Sequence, residues 1–250
     1  MVAIARFTVL EAWRTRVAAL VIGLVIVSLA LAEFAASLAV TDSASYRLVV
    51  YGAAMRCALV ALTALVVAIS VAREFDARRL EQTLAYPLAR SEWYGGRLLG
   101  FSVLSLGLAS AACVPLVWLS APYALAGWGA TLALELVLIA AASLTASVAL
   151  VQPAAVAFAV AAFYVLARSI EAMLLLASSP LLAHTTWASP YVGGFLRALA
   201  LLLPALEDGA AASRLYAETA SSPAPFAFQI MVYVLLLAAV GAFDLARRDV

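Results

Sequence analysis

The sequence predicts an all-α polytopic membrane protein: six transmembrane helices, an N-terminal amphipathic helix on the membrane surface, and a charged cytoplasmic helix between spans two and three. Three observations predict it. Hydrophobic residues fill 67% of the 250 positions and the mean hydropathy is +1.08, far above the roughly 45–50% apolar content of soluble domains. Six segments reach the roughly 20 apolar residues needed to cross about 30 Å of hydrocarbon, at about 17–40, 48–72, 98–120, 130–150, 154–178 and 226–246. The charge is concentrated: five arginines and four acids lie between Arg73 and Arg97, in a chain that is 12% charged. Period-two alternation, the barrel signature, is absent, and an open sheet in lipid leaves backbone groups unsatisfied.

Taking the elements in order, residues 2–15 place Ile4, Phe7, Leu10 and Trp13 at a spacing of three, with Arg6, Glu11 and Arg14 off that stripe. This pattern predicts an amphipathic helix lying on the inner membrane surface; a straight extension of the first span is the competing reading. Ala30-Leu31-Ala32 resembles a signal-peptide cleavage site, but the sixteen residues ahead of the apolar run are long for a leader, which favours a retained span. Between spans two and three, Ala77, Leu80 and Leu84 share a helical face, Pro87 ends that helix, and Ser91 is suited to cap the next. Pro115 predicts a kink late in span three and Pro153 a tight turn before span five. Residues 179–225 form an outer loop. Its apolar stretch from Tyr191 to Leu206 is interrupted by Gly193-Gly194, Arg197 and Pro204, so it is expected as an interfacial or re-entrant helix and not a seventh span. Trp93, Trp118, Trp128 and Trp187 stand near span ends, where an interfacial belt is expected. Gly96 and Gly100 form a G-x-x-x-G that reads as incidental in a chain so rich in small residues. A single membrane domain covers 1–250.

Orientation follows from arginine. Ten arginines flank the N-terminus, the charged loop and the C-terminus, against three (Arg47, Arg197, Arg214) on the other side, so both termini are expected in the cytoplasm. With a net charge of +1 and no lysine anywhere, nucleic acid is not an expected partner. Cys57 and Cys113 lie far apart in apolar runs, as ordinary buried thiols do, and the lone His184 has no nearby carboxylate with which to hold a metal.

Five ionisable residues fall within the spans: Glu33, Arg56, Glu135, Arg168 and Glu171. At about 1.5 Å per residue they lie roughly 8–15 Å from the outer ends of their helices, in one layer. A charge at such depth pairs or faces water. Two readings follow: a translocation path in which Arg56 and Arg168 hold an anionic group, or interhelical ion pairs that orient spans one, two, four and five.

Arg73-Glu74-Phe75, Leu80-Glu81, Leu84, Pro87-Leu88-Ala89-Arg90 and Gly96-Arg97 together resemble the loop of ABC-2 type transporter permeases, in register and without a gap. The stretch with Glu11 and Arg14, the six-span plan and the ending with Arg247-Arg248 are also similar to that family. Arg78-Arg79 stand where the family usually has Gly-Thr, and Arg97 where lysine is common. The resemblance implies a non-catalytic permease subunit of an exporter in a bacterial inner membrane. Two such subunits, identical or different, pair in the lipid, and each grips an ABC ATPase through the loop, with Glu74, Arg78, Arg79, Leu80, Glu81, Leu84, Pro87 and Arg90 as the coupling residues. No cofactor is expected in this chain itself: a P-loop needs a lysine on the phosphates, so ATP and Mg belong to the partner ATPase. The alternatives are a permease-like component of haem-export or copper-enzyme maturation, and a polytopic membrane enzyme. For the latter, Glu135, Glu171 and His184 lack the spacing of a metal site or a proton-transfer dyad.

Overall fold

In the computed structural model, residues 2–14, 16–39, 42–76, 90–150, 152–177, 189–206, 215 and 224–247 are described. They form α1 (Val2–Arg14), α2 (Val17–Leu38), α3 (Ser43–Asp76), α4 (Arg90–Cys113) with a 3-10 turn (Val114–Trp118), α5 (Pro122–Ala149), α6 (Pro153–Ala177), α7 (Ser189–Leu202) and α8 (Ala224–Arg247). There is no strand among the described residues. Six helices, α2 to α6 and α8, are long and apolar enough to cross a membrane, so the protein is an all-α polytopic membrane protein. They coincide in order with the six apolar segments.

Several helices outrun those segments, because hydropathy registers only the part in hydrocarbon while helix continues into polar surroundings. α3 begins at Ser43, where the Ser45 backbone N–H donates to the Asp42 carboxylate at 3.3 Å as an N-cap. It runs 34 residues, about 51 Å at the helical rise, well over the roughly 30 Å of hydrocarbon, so the helix continues past the bilayer core. α4 begins at Arg90 and α5 at Pro122, each eight residues ahead of its apolar run. α4 ends in the 3-10 turn because Pro115 has no N–H to continue the ladder. The Tyr51 hydroxyl donates to the Ala112 carbonyl at 2.8 Å and satisfies one freed acceptor.

α5 is the axis of the bundle. It packs against α3, α4, α6 and α8, and 67% of its most apolar stretch is buried, against 22% for α2 and 17% for α8. Its small residues permit that crowding: a Cβ on Gly129 would lie 2.7 Å from the Cys113 sulfur of α4. Ile26 and Phe34 on α2, and Phe228 and Leu235 on α8, point away from the bundle, as side chains bathed in lipid do.

α1 is not a straight extension of the first span. Arg16 adopts a left-handed conformation (φ 61°), which turns the chain so that α1 packs across α4. Its inward face is small: Thr8 and Ala12 are buried, while Phe7 and Leu10 are 55% and 52% exposed on the outer side, placed as a membrane-surface stripe requires. The G-x-x-x-G is not incidental, since a Cβ on Gly100 would meet the Thr8 Cβ at 2.7 Å and the Ala5 carbonyl at 3.0 Å. Gly100 is where α1 crosses α4.

α7, with 14 residues, covers about 21 Å and is too short to span. It packs on α6, and the chain after it returns to the core through Leu203 and Leu206. The tryptophan belt is only partly realised: Trp118 is 90% exposed, but Trp93 and Trp128 are buried within the bundle, because α4 and α5 begin earlier than their apolar runs and bring these rings inside. Trp187 and His184 lie outside the described residues. Cys57 is exposed and Cys113 half-buried.

Candidate functional site

Two buried arginine centres, one at the loop end of the bundle and one within the membrane, gather most of the described charge that faces inward. At the loop end, Arg97 is 1% exposed, seven residues into α4. Its Nε donates to Glu74 Oε2 on α3 at 3.3 Å, and a terminal nitrogen pairs with the other oxygen of the same carboxylate, a bidentate fork. The remaining terminal nitrogen reaches Thr8 Oγ1 at 3.1 Å and Glu11 Oε2 at 3.2 Å on α1, and Ser70 Oγ at 3.5 Å on α3. The guanidinium lies over the Phe101 ring at 5.7 Å. One side chain therefore joins α1, α3 and α4, and α3 and α4 are the two helices that carry the charged loop.

Local sequence explains the joint. Ser70 and Glu74 stand four apart on α3, and Thr8 and Glu11 three apart on α1, so each pair shares a face. Thr8 donates its own hydroxyl to the Ile4 carbonyl at 3.0 Å, which leaves the oxygen free to accept from Arg97. Gly100, one turn beyond Arg97, lets α1 come close enough for the contact.

Within the membrane, Trp128, Thr131 and Glu135 occupy one face of α5 at spacings of three and four, all fully buried. Arg56 of α3, 1% exposed, donates to Glu135 Oε2 at 2.5 Å and to Thr131 Oγ1 at 3.5 Å, and lies over the Trp128 ring at 5.6 Å. From α6, Arg168 approaches Glu135 Oε1 to 3.8 Å and donates to the Tyr164 hydroxyl at 3.4 Å. Arg168 is the outward member of the set, with 31% of its side chain exposed. Three polar atoms here have no hydrogen-bond partner among the described residues: Arg56 Nε, Trp128 Nε1 and Glu135 Oε1. Each such atom costs about 1–3 kcal/mol when dry.

Of the five intramembrane residues, the fold brings together Arg56, Glu135 and Arg168. Glu33 instead pairs with Arg47 at 2.9 Å across the short α2–α3 connection, away from the buried centre. Glu171 lies half-buried on α6, three residues beyond Arg168. Among the loop residues, Glu74 turns inward to Arg97, and Arg90 is the first residue of α4. Arg78, Arg79, Leu80, Glu81, Leu84 and Pro87 lie outside the described residues. Sequence reasoning did not select Arg97, Thr8, Ser70, Trp128 or Thr131 as site residues; the usable signal was Gly100, a glycine one turn from a charge at the mouth of a span.

No family model matches the chain, and no curated protein matches it either.

Proposed function

We propose that the chain is the membrane-spanning permease subunit of an ABC exporter, pairing with a second permease chain and driven by separate ATPase subunits through the cytoplasmic loop 73–97. The observation that carries this reading is the Arg97 joint. α3 and α4 are fastened to each other and to α1 where the loop leaves them, so a load applied to the loop moves the spans and is not absorbed at a slack root. α3 continues from that joint to Arg56 in the membrane, about four to five helical turns away, and Arg56 meets the central α5 at Glu135. A displacement of the loop end thus reaches the intramembrane charges along one rigid rod. In this reading the half-exposed Arg168 is the group offered to an anionic part of the cargo.

The test is affinity purification of the full chain from native membranes. The wild type brings down an ATP-binding-cassette ATPase, and a variant carrying Arg78→Ala and Arg79→Ala loses most of it. Glu74 is left intact, because its carboxylate holds Arg97. A wild-type preparation with no ATPase, or full retention by the double variant, overturns the proposal.

A further inference from the structure

A cleft of about 140 Å³ opens beside the Arg97 joint, between α1, α2 and α3, with Phe101 of α4 also in its lining. Its wall changes character with depth. On α3, Val66, Ile69, Ser70 and Arg73 all line it and follow one another on a single face, from apolar to charged, over about 10 Å toward the loop end. α2 repeats the order, with Arg16 at its start and Val17 and Leu20 lining the cleft deeper in. Leu20 and Ile69 are 54% and 40% exposed, so the apolar side of the cleft is open to the acyl region of a surrounding bilayer. Its apolar end, formed by Val17, Leu20, Val66, Ile69 and Phe101, suits hydrocarbon, while Thr8, Glu11, Ser70 and Arg73 make the other end polar.

Arg73 lines the mouth and is exposed, and Arg16, directly ahead of the lining residue Val17, is exposed as well. Of the carboxylates nearby, Glu11 and Glu74 are paired with Arg97. Glu11 lines the cleft and shares Arg97 with Glu74, so the joint keeps one carboxylate charge in excess, which the arginines at the mouth have to outweigh.

We propose that this cleft is a binding site for an anionic phospholipid of the leaflet that meets α1. The phosphate sits against Arg73 with Arg16 beside it, and one acyl chain lies along Leu20, Val66 and Ile69. The site wedges between α1 and α3 next to the joint, so its occupant stiffens the attachment of α1. The proposal needs only the membrane-spanning fold and stands or falls apart from the ATPase reading, because its readout uses this chain alone.

The full chain, purified and monodisperse, is exchanged into mixed micelles containing phosphatidylglycerol or phosphatidylcholine with the same acyl chains, and retained lipid is counted by native mass spectrometry. The wild type retains one phosphatidylglycerol in preference to phosphatidylcholine. Arg73→Gln weakens that retention about five-fold, the value of one arginine near a charged headgroup. Leu20→Trp, at a position that is 54% exposed, blocks the apolar mouth and also lowers it with every arginine in place. Arg197→Gln on α7 has no effect. Equal retention of the two lipids by the wild type, or an unaltered count in Arg73→Gln, overturns the site. So does loss in Arg73→Gln with full retention in Leu20→Trp, which reveals a diffuse charged annulus.

Discussion

Arg97 and Arg56 are equally buried, yet they are built in opposite ways. Around Arg97 two carboxylates serve one arginine, and every guanidinium nitrogen has an acceptor drawn from α1 or α3. Around Glu135 two arginines serve one carboxylate, and Arg56 Nε, Trp128 Nε1 and Glu135 Oε1 are left without hydrogen bonds among the described residues. A saturated network in low dielectric is rigid and resists change; an incompletely satisfied one holds groups whose exchange for water or another polar partner is favourable. The loop end is therefore a fixed joint, and the membrane centre is the part with polar capacity to spare.

Removing Arg97 breaks this comparison most severely. Arg97→Ala strands Glu74 and Glu11 facing each other without their cation, and loss of one partner of a buried pair costs about 3–5 kcal/mol; a large drop in the melting temperature of the detergent-solubilised protein, followed by tryptophan fluorescence, is expected. Glu135→Gln comes next, with a loss of about 3 kcal/mol, since it leaves Arg56 buried and uncompensated. The comparison is sharpened by removing both partners: Arg56→Met with Glu135→Leu should recover most of that stability, as apolar replacement of a buried pair often does. If the double variant is as unstable as the single one, the pair is not the under-satisfied element described here.

Gly100→Ala should cost about 1–3 kcal/mol by forcing α1 off α4. Because it loosens the same joint, its effect should add poorly to that of Arg97→Ala in a double-mutant cycle; full additivity would separate the helix crossing from the joint. The smallest effect belongs to Asp42, on the exposed α2–α3 connection. The Ser45 side-chain and backbone hydrogen bonds hold its carboxyl below the usual carboxylate range, so its contribution is present above that range and is lost only as pH falls through the lowered value. A melting-temperature series against pH should show a slight extra loss at the acid end for the wild type, absent in Asp42→Ala.

What the sequence made legible was set by local order. The six spans follow from run length and hydropathy, and depth arithmetic along single helices placed Arg56, Glu135 and Arg168 at one level, where they meet. The same arithmetic put Glu33 in that layer, because depth says nothing about azimuth: Glu33 turns to Arg47 on the neighbouring helix. Arg97 was missed for a related reason. Its partners come from residues 8–11 and 70–74, and no periodicity within one helix links three segments so distant. The burial of Trp93 and Trp128 escaped because apolar runs mark the hydrocarbon and not the helix ends.

The central claim is that the Arg97 joint makes the loop a working handle for a separate motor. It is tested most directly by purifying Arg97→Gln from native membranes under conditions where the chain still inserts and elutes as a single species, and measuring bound ATPase per subunit. The account predicts an inserted chain depleted of ATPase, with partial recovery in Arg97→Lys. An Arg97→Gln subunit that carries its full complement of ATPase would contradict it.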